Sequence, residues 1–217
     1  MLAAAQPEPI FYLWVIISVA FLVLVWYRQK WRRDRLERMA QEMGFSFDRK
    51  GETLSALGCQ GLPLLERAAV LSNALRGHYN GVETVLLDCQ TGHAKHAIHQ
   101  TVVCFRLARE LPAFELRPES VFDKIGAATL GYQDIDFEAS PGFSKSYLLR
   151  GAHEEPVRAL FNAAVLQFFE QQRAWWVEAL GDWLGVYRRG RLVSPGQIKT
   201  FLEEARAVSQ VFARQSW

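Results

Sequence analysis

Charge is absent from one long stretch of this chain and nearly cancels over the rest. The 18 residues 10–27, "IFYLWVIISVAFLVLVWY", hold no Asp, Glu, Lys or Arg, and residues 1–9 hold no Lys or Arg. A cleaved secretory signal needs a basic start, a shorter apolar run and a small-residue cleavage pattern, so that reading is set aside. Cysteine is scarce: Cys59, Cys89 and Cys104 are an odd number with no C-x-x-C. That usage suits a reducing compartment better than a disulfide framework, although a cross-strand bond between Cys89 and Cys104 is geometrically conceivable. Also missing are a glycine-rich phosphate cradle, a G-x-S-x-G elbow, S-x-x-K and H-E-x-x-H. Without them no cofactor is called for, and nothing specific argues for an enzyme.

What is present begins with that apolar run. As a helix, residues 10–27 extend about 27 Å, close to the hydrocarbon thickness of a bilayer. Phe11, Tyr12 and Trp14 sit near one end and Trp26 and Tyr27 at the other, as in an interfacial aromatic belt. A single transmembrane helix is expected, with the lipid bilayer as its partner. The next stretch, "RQKWRRDRLER", carries Arg28, Lys30, Arg32, Arg33, Arg35 and Arg38 against Asp34 and Glu37. Its net +4 exceeds the chain's +2, so the remainder is slightly acidic, which argues against nucleic-acid binding. By the positive-inside rule the basic flank is cytoplasmic. The expectation is a short extracytoplasmic N-terminus (1–9), a span (10–27), a basic juxtamembrane helix (28–44) and a cytoplasmic domain (45–217) at the inner membrane. The six basic side chains are the candidate contacts for anionic lipid headgroups. Leu36, Met39, Ala40 and Met43 continue at helical spacing up to Gly44, a natural stop.

Beyond Phe45 the pattern reads as an α+β domain, mostly antiparallel, with seven or eight short strands and a C-terminal helix; a pleckstrin-homology-like barrel is one architecture with that count. "NG" at 80–81 marks a two-residue hairpin turn. It sets Tyr79 opposite Val82 and Leu75 opposite Leu86, with Leu71 further along the same face, and predicts an ion pair between His78 and Glu83 across the strands. "QTVVCFRL" (100–107) and "AFELR" (113–117) read as two strands, "SVFDKIGAA" as a short helix, and residues 134–138 and 143–149 as two more strands. "EEPVRALFNAAVLQFFEQQ" reads as two helices, the second capped by Asn162. "WWVEALGDWLGVYRRG" reads as a hairpin turning at Gly181-Asp182. In "SPGQIKTFLEEARAVSQVFARQ", Ser194, Pro195 and Gln197 form a helix-start signature, and the apolar stripe runs through Ile198, Phe201, Leu202, Ala205, Val208 and Phe212.

Two groups of side chains are candidates for chemistry. "TGHAKHAIHQ" places His93, His96 and His99 on the loop between two strands, but without an Asp, Glu or Cys in the loop and without the paired spacing of zinc sites. They read as a solvated loop and only weakly as metal ligands. Asp134, Asp136 and Glu138 alternate with Ile135 and Phe137, which makes the wet face of a half-buried strand or, less simply, a Mg²⁺ or Ca²⁺ site. The functional expectation is therefore a membrane-anchored interaction or sensing module with an unidentified protein partner. Its competitor is a membrane-bound hydrolase or metal-dependent enzyme using one of these two groups.

The stretches "DFEASPGFSKSYLLRGAHEEPVRALFNAAVLQFF" and "WVEALGDWLGVYRRG", with the upstream "LRGHYNGVETVLLD" behind an apolar anchor, resemble the bacterial membrane-anchored family known as domain of unknown function 3137. The chain departs from that pattern at "FNAAV", where a Thr-Pro would precede the second helix. The resemblance implies the anchored α+β architecture and supplies no catalytic residues.

Overall fold

The computed structural model describes residues 9–51, 58–119, 134–172 and 174–213. One helix, α1 (Pro9–Met43), runs uninterrupted from the apolar stretch into the folded body. Its first half is exposed on every side, with none of its most apolar 18-residue window buried; it is long and apolar enough to cross a membrane. Its second half shows one buried stripe, with Leu36 and Ala40 fully covered and Met39 and Met43 packed beside them. Gly44 ends the helix at φ +69°, as expected of a C′ glycine.

The body is α+β. Strands β1 (Ser46–Asp48), β2 (Ala68–Tyr79), β3 (Val82–Thr91), β4 (Ile98–Pro118), β5 (Tyr147–Gly151) and β6 (Trp176–Tyr187) form one antiparallel sheet. Short helices α2 (Pro63–Glu66), α3 (Pro141–Ser146), α4 (Glu154–Leu160) and α5 (Ala163–Gln171) precede the long C-terminal α6 (Ile198–Ala213). The Asn80-Gly81 turn and its register are as the sequence indicates: Tyr79 opposes Val82, His78 opposes Glu83 and Leu75 opposes Leu86. Both turn residues have positive φ.

Several elements differ from the sequence reading, each for a local reason. Leu71 does not share the face of Leu75. A bulge between Ser72 and Leu75, with Asn73 at φ 52°, adds one residue to β2 and inverts the alternation. Glu83 is not paired by His78; its carboxylate accepts from Arg76 Nη2 at 2.7 Å and Arg106 Nη1 at 3.3 Å. The two strands expected at 100–107 and 113–117 are one 21-residue strand, β4, which absorbs Pro112 at an irregular stretch. Residues 143–149 are split between helix α3 and strand β5, because Pro141 after Ser140 starts a helical turn. Residues 134–138 form only an isolated bridge, Asp134 with Arg150. The helix expected at 120–128 lies outside the described residues.

The expected hairpin at Gly181-Asp182 is instead a bend in the single strand β6, with Gly181 at φ 58°. Each arm of β6 pairs with β4, residues 183–187 with 102–106 and residues 177–181 with 111–116. Nine extended residues would separate Glu178 from Tyr187 by about 30 Å. Yet Tyr187 donates its hydroxyl to Glu178 Oε1 at 2.8 Å, and Trp176 stacks on Tyr187 with centroids 5.8 Å apart. Strands β4 and β6 therefore bend together at their bulges and fold the sheet over. Among the described residues the sheet has six strands where seven or eight were expected.

Both faces are covered. On one, α4, α5, α6 and the second half of α1 bury the main core, including the expected stripe of α6. Asn162 caps α5, its Oδ1 accepting from the backbone of Ala164 and Val165. Ser194 and Gln197 bond to each other through their side chains rather than completing a capping box, and Pro195–Gln197 is a 3-10 turn before α6. On the other face, residues 58–67 cover a smaller core that includes all three cysteines, each a free, buried thiol. Cys104 opposes Val85 and Cys89 opposes Gln100, so no disulfide joins them.

Candidate functional site at the helix–sheet junction

The described residues contain one place where groups of opposite charge, remote in sequence, are locked together with little exposure. Asp88 stands alone in the apolar strand "VLLDC". There it faces α1 from the same side of β3 as Leu86, a residue of the main core. Arg32 reaches it bidentately, Nε to Oδ2 at 2.9 Å and Nη2 to Oδ1 at 2.7 Å. The two side chains are 14% and 9% exposed. The remaining lone pairs of the carboxylate are taken by Asn73 Nδ2 at 2.9 Å and the Thr101 hydroxyl at 3.1 Å. Arg32 Nη1 donates to the Val193 carbonyl at 2.6 Å, and the Val193 amide donates to Thr101 Oγ1 at 3.0 Å.

This network ties α1 to β2, β3, β4 and the segment after β6. The bulge at Asn73 gives it one of its donors, since the extra residue aims that amide at Asp88. Planar guanidinium against carboxylate, with every acceptor position filled, is the geometry in which a partly buried ion pair repays its desolvation.

The six basic residues of the collar thus divide. Arg28, Lys30, Arg35 and Arg38 are exposed. Lys30 lies over Trp26 at 5.3 Å and Arg35 over Trp31 at 5.2 Å, so both hug the helix surface. Arg32 is the inward clamp. Arg33 is half-buried and lines a cavity of about 300 Å³ between α1 and the starts or ends of β2, β3 and β4. On the opposite flank of α1, a cleft of about 470 Å³ separates Tyr27, Arg28 and Trp31 from the loop carrying Leu192.

His93, His96 and His99 are all exposed; His93 and His96 sit on the β3–β4 connection as the sequence suggests, while His99 is already in β4, opposite Gln90. Asp134, Asp136 and Glu138 are exposed too, and Asp134 lies 3.8 Å from Arg150 Nε. Among the described residues no group of three or more His, Cys, Asp or Glu is placed to hold a metal ion.

Sequence reasoning missed the clamp's acceptor. Its signal was there: a lone Asp in an apolar strand must find a partner, and the chain's densest supply of guanidinium groups is the collar. It also missed Glu178, 1% exposed on the other face. Burial pushes its carboxyl up to about 7, against hydrogen bonds from the Leu64 amide and the Tyr187 hydroxyl that favour the ionised form. The Leu64 bond docks residues 62–67 onto β6, the Tyr187 bond ties the two arms of β6 together, and Arg67 lies 3.7 Å away. Both carboxylate oxygens have partners, which suits a structural anchor.

No family model matches this chain, and no curated protein matches it. Among solved structures the chain is similar to one titled the crystal structure of the mycobacterial trehalose monomycolate transport factor A, TtfA. The TM-score is 0.60 at 13% identity, over 83% of this chain and 93% of that one. At that identity the likeness is one of fold: this chain and that transport factor share an architecture.

Proposed function

We propose that this chain is a single-pass, membrane-anchored interaction module. Its body faces the cytoplasm, it performs no chemistry of its own, and it serves as an accessory to a membrane transport assembly. The observation that carries the reading is the continuity of α1. The apolar half has no protein to pack on, the next half is core of the body, and Arg32 clamps the two regimes at their boundary. Such a construction fixes the body's height and rotation relative to its anchor, which a docking module needs and a freely diffusing enzyme does not. The accessory role leans on the fold shared with a protein titled a transport factor. The cytoplasmic orientation leans on the basic collar and on three reduced, buried cysteines. The resemblance to the anchored family of domain of unknown function 3137 belongs to the same proposal.

Orientation is tested by cysteine labelling in intact cells, where the buried native thiols stay silent. Ala4→Cys should react with a membrane-impermeant maleimide, and Lys95→Cys should react only after permeabilisation. The reverse pattern would sink the topology. Photo-crosslinkers placed at Trp31 and Leu192 should then trap an integral membrane protein, and a chain that stays uncrosslinked there would reject the accessory role.

A further inference from the structure

We propose that the cavity beside the Arg32–Asp88 clamp binds the phosphate group of one anionic phospholipid, taken from the membrane leaflet next to it. The proposal deepens the anchored reading above and rests on it.

Arg32 and Asp88 form the floor of the cavity, and their charges cancel. What remains is basic. Arg33 lines the wall and has no hydrogen-bonding or ionic partner among the described residues. Arg49 lines it from the turn after β1; its one ion pair is with Glu37 at 3.0 Å, and its side chain is 57% exposed. Ser72 and His99 add a hydroxyl and an imidazole. Two guanidinium groups on the lining of one small hollow suit a phosphate, and no carboxylate other than the clamped Asp88 lines it.

The exposed part of the lining mixes Arg49, Gln29 and His99 with apolar side chains. Beyond Tyr27, four large apolar side chains are exposed among the described residues: Trp31, Val70, Leu180 and Leu192. Val70 and Leu192 line this cavity, and Trp31 lies across the helix from it. Guanidinium groups set beside exposed apolar side chains fit an amphiphile better than a free anion.

The height is also right. The Arg33 backbone lies six residues past Tyr27, about 9 Å along the helix axis, just beyond a headgroup layer about 5–7 Å deep, and helical side chains lean back toward the N-terminus, here toward that layer. From Leu86 on to Asp88, β3 runs toward the apolar half of α1, because Leu86 belongs to the core that holds Leu36 and Ala40 while Asp88 meets the earlier Arg32. A lipid whose acyl chains lie along residues 10–27 can therefore lower its phosphate into the cavity without leaving the leaflet.

The test uses the full chain purified in detergent and native mass spectrometry. The probes are phosphatidylglycerol, phosphatidylcholine with the same acyl chains, and inorganic phosphate. One retained phosphatidylglycerol per chain is expected, with phosphatidylcholine not retained and millimolar inorganic phosphate failing to displace the lipid. Arg33→Gln with Arg49→Gln should weaken retention at least about tenfold. Val70→Trp, which keeps every charge and fills the rim, should weaken it comparably. Arg35→Gln with Arg38→Gln, on the exposed collar, should leave it unchanged.

Equal retention by all variants, equal retention of phosphatidylcholine, or displacement by inorganic phosphate would each overturn the assignment. The last two would mean an apolar crevice and a free-anion site, respectively. Because the adduct is read in detergent, its loss is distinguishable from a failure of the topology, which cysteine labelling reads separately.

Discussion

Removing the carboxylate of Asp88 should destabilise the body by about 2–4 kcal/mol. Breaking a fully buried ion pair from one side costs about 3–5 kcal/mol, because the surviving charge is left without compensation. Asp88→Ala leaves Arg32, 14% exposed, with the Val193 carbonyl and no counter-charge. It also frees the Asn73 amide and the Thr101 hydroxyl. The lower end of the range is set by the adjoining cavity, through which water can reach the guanidinium. Asp88→Asn should be nearly as costly, since its amide nitrogen would face the guanidinium donors. Arg32→Met combined with Asp88→Leu should recover about half the loss, because an apolar pair leaves no charge stranded. Urea denaturation of the full chain in detergent, followed by the fluorescence of buried Trp175 and Trp183, gives the free energies. Hydrogen exchange gives the location: in Asp88→Ala the amides of residues 30–36 should exchange faster while those of α6 stay protected. A loss below about 0.5 kcal/mol with no local change in exchange would mean the clamp is merely another surface ion pair, and the argument for a fixed junction would fall with it.

Glu178 makes stability depend on pH in a definite direction. Its folded pKa of about 7 lies above the ordinary 4.5, so the folded state keeps a proton that the unfolded chain releases. The contribution of Glu178 to stability is therefore full below about pH 4.5 and is lost, by about 3 kcal/mol, as pH rises to 7. Glu178→Gln should flatten that slope in pH-dependent denaturation, and an unchanged slope would refute the assignment. Asn162→Ala removes two cap bonds and should cost about 1 kcal/mol in the same assay; a neutral result would deny the cap a role. Replacing Arg28, Lys30, Arg35 and Arg38 with Gln should leave stability untouched and lower the binding of residues 28–217 to anionic vesicles by a few kcal/mol in sum. Added salt should mimic the change, and binding indifferent to both would reject a lipid role for the exposed collar.

What the sequence disclosed and what it hid follow from the range of the interactions involved. The apolar run, the Asn80-Gly81 turn, the Asn162 cap and the stripe of α6 are set by neighbours within a few residues, and all four were legible. The errors share a cause. Gly181-Asp182 and Pro112 read as breaks because locally they are, but each lies where β4 and β6 bend against one another, and pairing along the whole ladder keeps both strands continuous. The bulge at Asn73 likewise leaves no unambiguous mark, since Asn also favours turns, and it moved Leu71 to the second core. The collar was legible as charge but not as geometry. Six basic residues looked equivalent until the sheet supplied Asp88 to one of them and a cavity to another.

That division explains why the basic segment is helical and not a loose charged linker. A topology signal needs only positive charge near the span, in any conformation. Here the helix has to deliver Leu36 and Ala40 to the core and Arg32 to Asp88, one turn apart on a single stripe, and a break between Arg32 and Leu36 would lose that phase. Each residue of helix turns the next by about 100°, so the side of the span that meets lipid or a partner is fixed by which face of residues 28–43 meets the sheet. The exposed residues Arg28, Trp31 and Arg35 fall on the remaining arc, beside the cleft under Leu192. On the proposed topology the basic segment is both the charge that orients the chain and the shaft that sets the angle of the body, and only the second task requires that Arg32 be turned inward.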